Sequence, residues 1–120
     1  MDYKFINIEY LDTVSGGDVE IILEIVNMFK EQSIEIYGEM KSYLAEKNYN
    51  KLGLLAHKAK SSVLIKGMTD LGAMLKTLEL QAKAGIEPES YESYISRFKA
   101  ETDSAVEELM DIVKNRLNKS

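Results

Sequence analysis

From Ile8 to Leu117 the apolar residues recur every three or four positions, and no stretch alternates apolar with polar for long. That spacing belongs to helices with one buried face, so the chain reads as all-α. Glycines and a single proline punctuate it: Gly16-Gly17, Gly67, Gly85 and Pro88. A short first helix over roughly 8–14 stops at the glycine pair, and Asp18 is a good N-cap for the next. That second helix runs over roughly 18–47, with Ile21, Ile22, Ile25, Met28, Phe29, Ile36, Met40 and Tyr43 on one face. Residues 48–50 form the break, and a third helix covers roughly 50–66. Thr69 or Asp70 starts a fourth over roughly 69–84, with Leu71, Met74, Leu75, Leu78 and Ala82 as its stripe. Pro88 suits the first turn of a fifth helix over roughly 88–117, with Glu89 at its positive end. Tyr91, Tyr94, Ile95, Phe98, Ala105, Val106, Leu109, Ile112, Val113 and Leu117 carry that stripe. Two helices of ~30 residues, ~45 Å long, thus enclose two shorter ones in sequence. Short connections make neighbours antiparallel, which predicts an up-down-up-down four-helix bundle with a short extra N-terminal helix.

Composition narrows the function. The 120 residues suit one domain, 1–120, and 45% apolar with 29% charged residues suit a folded, polar-surfaced protein. There is no cysteine, so disulfides, thiolate metal sites and thiol catalysis are excluded. With one histidine, His57, an imidazole-rich metal site cannot form either. A di-iron bundle would want a glutamate three residues before that histidine, and the position is Leu54. The net charge of −5 argues against nucleic acid, no apolar run is long enough for a membrane span, and the N-terminus lacks signal-peptide character. These features predict a cytoplasmic protein.

The histidine repays a closer look. With Leu52 at zero and ~100° per residue, Leu55, Ala56, Ala59, Ser62 and Val63 cluster on the side that packs inward. His57 falls at about 140°, on the outward side. Beside it lie Leu54, Lys60, Ser61 and Leu64, so two leucines bracket a solvent-facing imidazole. Between Lys47 and Thr69 there are five lysines (Lys47, Lys51, Lys58, Lys60 and Lys66) and no Asp or Glu, within an acidic chain. Such a face attracts an anion or an acidic partner surface. Lone histidines and lysine runs are commonly incidental surface features, and that reading stands beside the functional one.

An outward imidazole on a bundle has no evident pocket for acid–base or triad chemistry. It needs less to act as a nucleophile toward a phosphoryl group brought by a partner. Lys60 would balance the phosphate charge, and a small residue at 61 would let the partner approach.

The segment AHKAKSSVLIKGMTDLGAMLKTLELQAKAG, with YLDTVSGGDVEIILEIVNMF upstream, resembles histidine-containing phosphotransfer (HPt) domains of two-component phosphorelays. The resemblance rests on His57, Lys60, Ser61, Gly67, Leu78-Glu79 and the upstream Gly-Gly-Asp, and spans roughly residues 8–118. Ser61 and Ala59 stand where Gly and Leu are common in that family. The resemblance implies that His57 accepts a phosphoryl group from a receiver-domain aspartyl phosphate, usually on Nε2, and passes it to another receiver. It implies Lys60 for charge balance, and a docking face of Leu54, Lys58, Ser61 and Leu64. It also implies no cofactor of the chain's own, since Mg2+ sits on the receiver. The partners it implies are response-regulator receiver domains and a hybrid histidine kinase, and an outward acceptor suits a monomer. No nucleotide-binding loop is present, so the chain is an intermediate and not an autonomous enzyme. The competing readings are a non-catalytic adaptor that binds through Leu54 and Leu64, and a small hydrolase using Ser61 or Ser62 with His57. No acidic or amide partner for the second ring nitrogen can be assigned from sequence, so the tautomer stays open.

Overall fold

The computed structural model describes residues 3–65 and 67–118, with Ile65 described by its backbone alone. Its elements are α1 (Ile8–Ser15), α2 (Val19–Ala45), α3 (Tyr49–Ile65), α4 (Thr69–Ala84), a single 3₁₀ turn (Pro88–Ser90) and α5 (Tyr91–Asn118). Among the described residues there is no strand. Helices α2, α3, α4 and α5 form a closed ring of packed neighbours, and α1 leans on α2. The three-residue connections after α2 and α3 turn each following helix back against its predecessor. The result is an all-α bundle, 51 Å long and about 20 Å across, with a short helix added at its N-terminal side.

Local chemistry sets the boundaries. The Asn7 side chain accepts from the Tyr10 N–H and Asp18 accepts from the Glu20 N–H, satisfying free donors at two helix starts. Gly16 and Gly85 close α1 and α4 in the left-handed conformation. The end of α2 comes two residues earlier than the periodicity predicts. Lys47 turns to φ 58, outside helical geometry, so the break falls at 46–48 and α3 starts at Tyr49. Pro88 opens the separate 3₁₀ turn ahead of α5 instead of the first turn of α5 itself. The predicted end of α3 at Lys66 lies outside the described residues, as does that lysine's place on the basic face.

The core follows the predicted stripes on α3, α4 and most of α5. Leu52, Leu55, Ala56, Ala59 and Val63 of α3 meet Leu71, Met74, Leu75, Leu78 and Ala82 of α4, all buried. On α2 the stripe is corrected. Ile22, Val26, Phe29, Ser33, Ile36 and Met40 are buried, whereas Ile21 and Met28 are exposed. Met28 lines the open groove beside α1, and that eight-residue helix covers only part of this side of α2. Leu117, near the end of α5, is exposed as well.

One close approach shapes the face that α3 and α4 share. Helices α3 and α4 touch at two glycines, Gly53 and Gly72. A Cβ at Gly72 would sit 2.5 Å from Cδ2 of Leu64, so Leu64 lies across α4 where no side chain intervenes. No helix among the described residues is long and apolar enough to cross a membrane.

Candidate functional site

The inward packing of Leu52, Ala56, Ala59 and Val63 rotates His57 outward on α3, as the helical wheel predicts. Its side chain is 57% exposed. Leu54 and Leu64 are exposed on either side of it, and Lys58 and Ser61 are exposed as well. Lys60 is partly covered, because its ammonium turns back toward α4.

What it turns toward is Glu79. The Glu79 carboxylate, on α4, lies 3.0 Å from His57 Nδ1, 3.4 Å from Lys60 Nζ and 2.9 Å from Lys83 Nζ. Glu79 is the one charged side chain buried among the described residues. The Lys83 ammonium, followed by the His57 and Lys60 hydrogen bonds, holds its carboxyl down at about 2, against the opposing pull of burial. Near neutral pH Glu79 is therefore a carboxylate, which can only accept hydrogen bonds. The Nδ1 of His57 must then be the donor. In the neutral ring this leaves the proton on Nδ1 and a lone pair on Nε2. The tautomer that sequence left open is thus set by a partner 22 residues away.

Reading the sequence alone placed Leu78-Glu79 in a motif but missed Glu79 as the ring's partner. A signal was available. Glu79 lies between Leu75 and Ala82 on the apolar stripe of α4, where a carboxylate must have a charged or hydrogen-bonding partner. Lys83, one turn further along, was missed with it.

The hydrolase reading needs a serine hydroxyl held by the imidazole. Ser62 donates to Gln32 Oε1 at 3.1 Å, away from the histidine, and no hydrogen bond among the described residues joins Ser61 to His57. An apolar groove of about 200 Å³ lies elsewhere, between α1 and α2, lined by Ile6, Tyr10, Leu11, Val14, Ile25 and Met28. Among the described residues no three His, Asp or Glu side chains converge as a metal site requires.

Neither a protein-family model, nor a curated protein, nor a solved structure matches this chain. The functional reading therefore rests on the residues themselves.

Proposed function

We propose that this chain is a phosphorelay phosphocarrier of the HPt kind, with His57 as the acceptor of a phosphoryl group from a receiver-type aspartyl phosphate and as its donor to a second receiver. The observation that carries the reading is the pairing of an exposed imidazole with a buried carboxylate: Glu79 accepts a hydrogen bond from Nδ1–H, which leaves Nε2 with the lone pair of a nucleophile.

The step is simple in its balance. The Nε2 lone pair attacks phosphorus, an N–P bond forms, and the P–O bond to the aspartyl carboxylate breaks with its electron pair leaving on that carboxylate. The Nδ1 proton stays on the ring. The ring thereby gains positive charge in the product, and the Glu79 carboxylate beside it offsets that charge. Lys60 lies one turn along α3 from the acceptor and can follow the phosphoryl oxygens. Leu54 and Leu64 offer the apolar contact for the receiver, and Lys58 and Ser61 lie on the same face. In this reading Mg2+ and the acidic pocket are the receiver's, a hybrid histidine kinase supplies the phosphoryl group, and the chain acts as a cytoplasmic monomer without an ATP site.

The test is intact-mass measurement after mixing with a panel of phosphorylated receiver domains, for wild type and His57→Gln. An acid-labile gain of one phosphoryl group, absent in the variant, is the expected result. No gain from any receiver would favour the adaptor reading, to which the exposed Leu54 and Leu64 are equally suited.

A further inference from the structure

One carboxylate serves three partners at this site, and the two lysines among them are not equivalent. Lys83 Nζ approaches Oε2 of Glu79 to 2.9 Å, whereas Lys60 Nζ stands 3.4 Å from Oε1. Lys83 and Glu79 share α4 at i,i+4 with the glutamate first, the favourable order, so their pairing does not depend on how α3 sits. Lys60 is on α3, one turn from the acceptor, and reaches Glu79 across the interhelical gap.

The stem of Lys83 is also located by a specific feature. It lies over Gly53, where a Cβ would come within 2.8 Å of Lys83 Cγ and 3.1 Å of the Glu79 carbonyl oxygen. A glycine in mid-helix costs about 1 kcal/mol relative to alanine, so its presence here calls for a structural reason. The bare backbone at 53 is what lets α4 approach and Lys83 lie flat toward the carboxylate.

We propose that Lys83, seated over Gly53, is a positioning residue: it is the fixed counter-charge of Glu79, which keeps that carboxylate on Nδ1 of His57 and frees Lys60 to leave for a phosphoryl group on Nε2. This rests on the phosphocarrier reading above. Without Lys83, the Glu79 carboxylate has only Lys60 as a cationic partner besides the ring. Lys60 is then retained by Glu79, and the phosphoryl group loses its cation although Lys60 is still present. The prediction that separates this from a merely structural role is non-additivity: removing Lys83 and removing Lys60 should have the same consequence, and removing both should add nothing.

The experiment loads the full chain with phosphoramidate, a small phosphoryl donor, and follows decay of the phosphohistidine signal by ³¹P NMR. It compares wild type, Lys60→Met, Lys83→Met, the double variant and Lys83→Arg, with circular dichroism to check each fold. Lys60→Met and Lys83→Met should each shorten the lifetime about threefold, the scale of one partly exposed ion pair. The double variant should decay no faster than Lys60→Met, and Lys83→Arg should restore the wild-type lifetime. A wild-type lifetime in Lys83→Met overturns the inference, and so do effects that multiply in the double variant; in either case the phosphocarrier reading survives. A wild type that forms no phosphohistidine from phosphoramidate or any receiver overturns the phosphocarrier reading and this inference with it.

Discussion

Glu79 ties chemistry to stability at a single residue. Its carboxyl is held at about 2, against an ordinary value of 4.5, chiefly by the Lys83 hydrogen bond and then by those from His57 and Lys60. A depressed folded-state value means the unfolded chain binds the proton more readily, so stability rises with pH through this range. The contribution is complete above about 4.5 and is lost as pH falls toward about 2. Its full size is on the order of 2 kcal/mol once screening of the half-exposed partners is allowed for. Urea denaturation from pH 7 down to pH 2.5 should therefore show a steeper loss of stability in wild type than in Glu79→Gln. Equal slopes would mean that the three partners do not hold the carboxylate in solution. Lys60→Ala makes a different prediction. The Lys60 ammonium is the most distant of the three partners of Glu79, and Lys83 and His57 remain when it is removed, so the variant should lose no more than about 1 kcal/mol of stability. Its phosphorylated form should nevertheless decay faster, and an unchanged lifetime would remove Lys60 from charge balance.

At the scale of elements, the turn between α3 and α4 decides how the site is assembled. Gly67 has φ 84, and a Cβ there would come within 2.7 Å of the Asn7 Cβ, at the cap of α1. Gly67→Ala combines backbone strain with a collision against a second element, so it should destabilise by about 1–3 kcal/mol, read as a lower urea midpoint at unchanged slope. No loss of stability would show that α1 is free to move off the turn. The glycines also show what was legible in sequence. As punctuation, Gly16-Gly17, Gly67 and Gly85 mark helix ends correctly, because they are chain-local signals of the left-handed backbone. Gly53 and Gly72 sit inside helices, where no local pattern announces that another helix lies against them. The same division holds for the site. The outward turn of His57 and the flanking Leu54 and Leu64 follow from the period of one helix. The Glu79 and Lys83 contacts join α4 to α3, so they depend on the register between two helices, which the spacing within either one does not contain. The two misplaced positions of the α2 stripe, Ile21 and Met28, have the same origin: periodicity finds a face but not how much of it the neighbouring helices cover.

Across the whole molecule, charge and shape are both polarised. The chain carries −5 overall, yet Lys47, Lys51 and Lys58 are exposed along one helix and its approach, in a stretch with no acidic residue. Lys60 and Lys83 extend that positive character to Glu79, which cancels only part of it. A partner with an acidic surface would be steered toward this end and repelled by the rest, and such steering acts mainly on the rate of encounter. The apolar residues beside the histidine act differently, since contact area governs how long a complex lasts. Two perturbations should therefore separate kinetically, in binding to any receiver that passes the phosphotransfer assay. Raising salt from about 0.05 M to about 0.5 M shortens the screening length several-fold and should lower the association rate, leaving dissociation nearly unchanged. Leu64→Asp removes apolar contact and places a like charge against an acidic partner, so it should weaken binding about tenfold or more, largely through faster dissociation. Surface plasmon resonance with wild type and Leu64→Asp reads both rates directly. If Leu64→Asp leaves dissociation as it was, the receiver does not dock on the Leu54–His57–Leu64 face, and the polarity of the molecule serves some other partner.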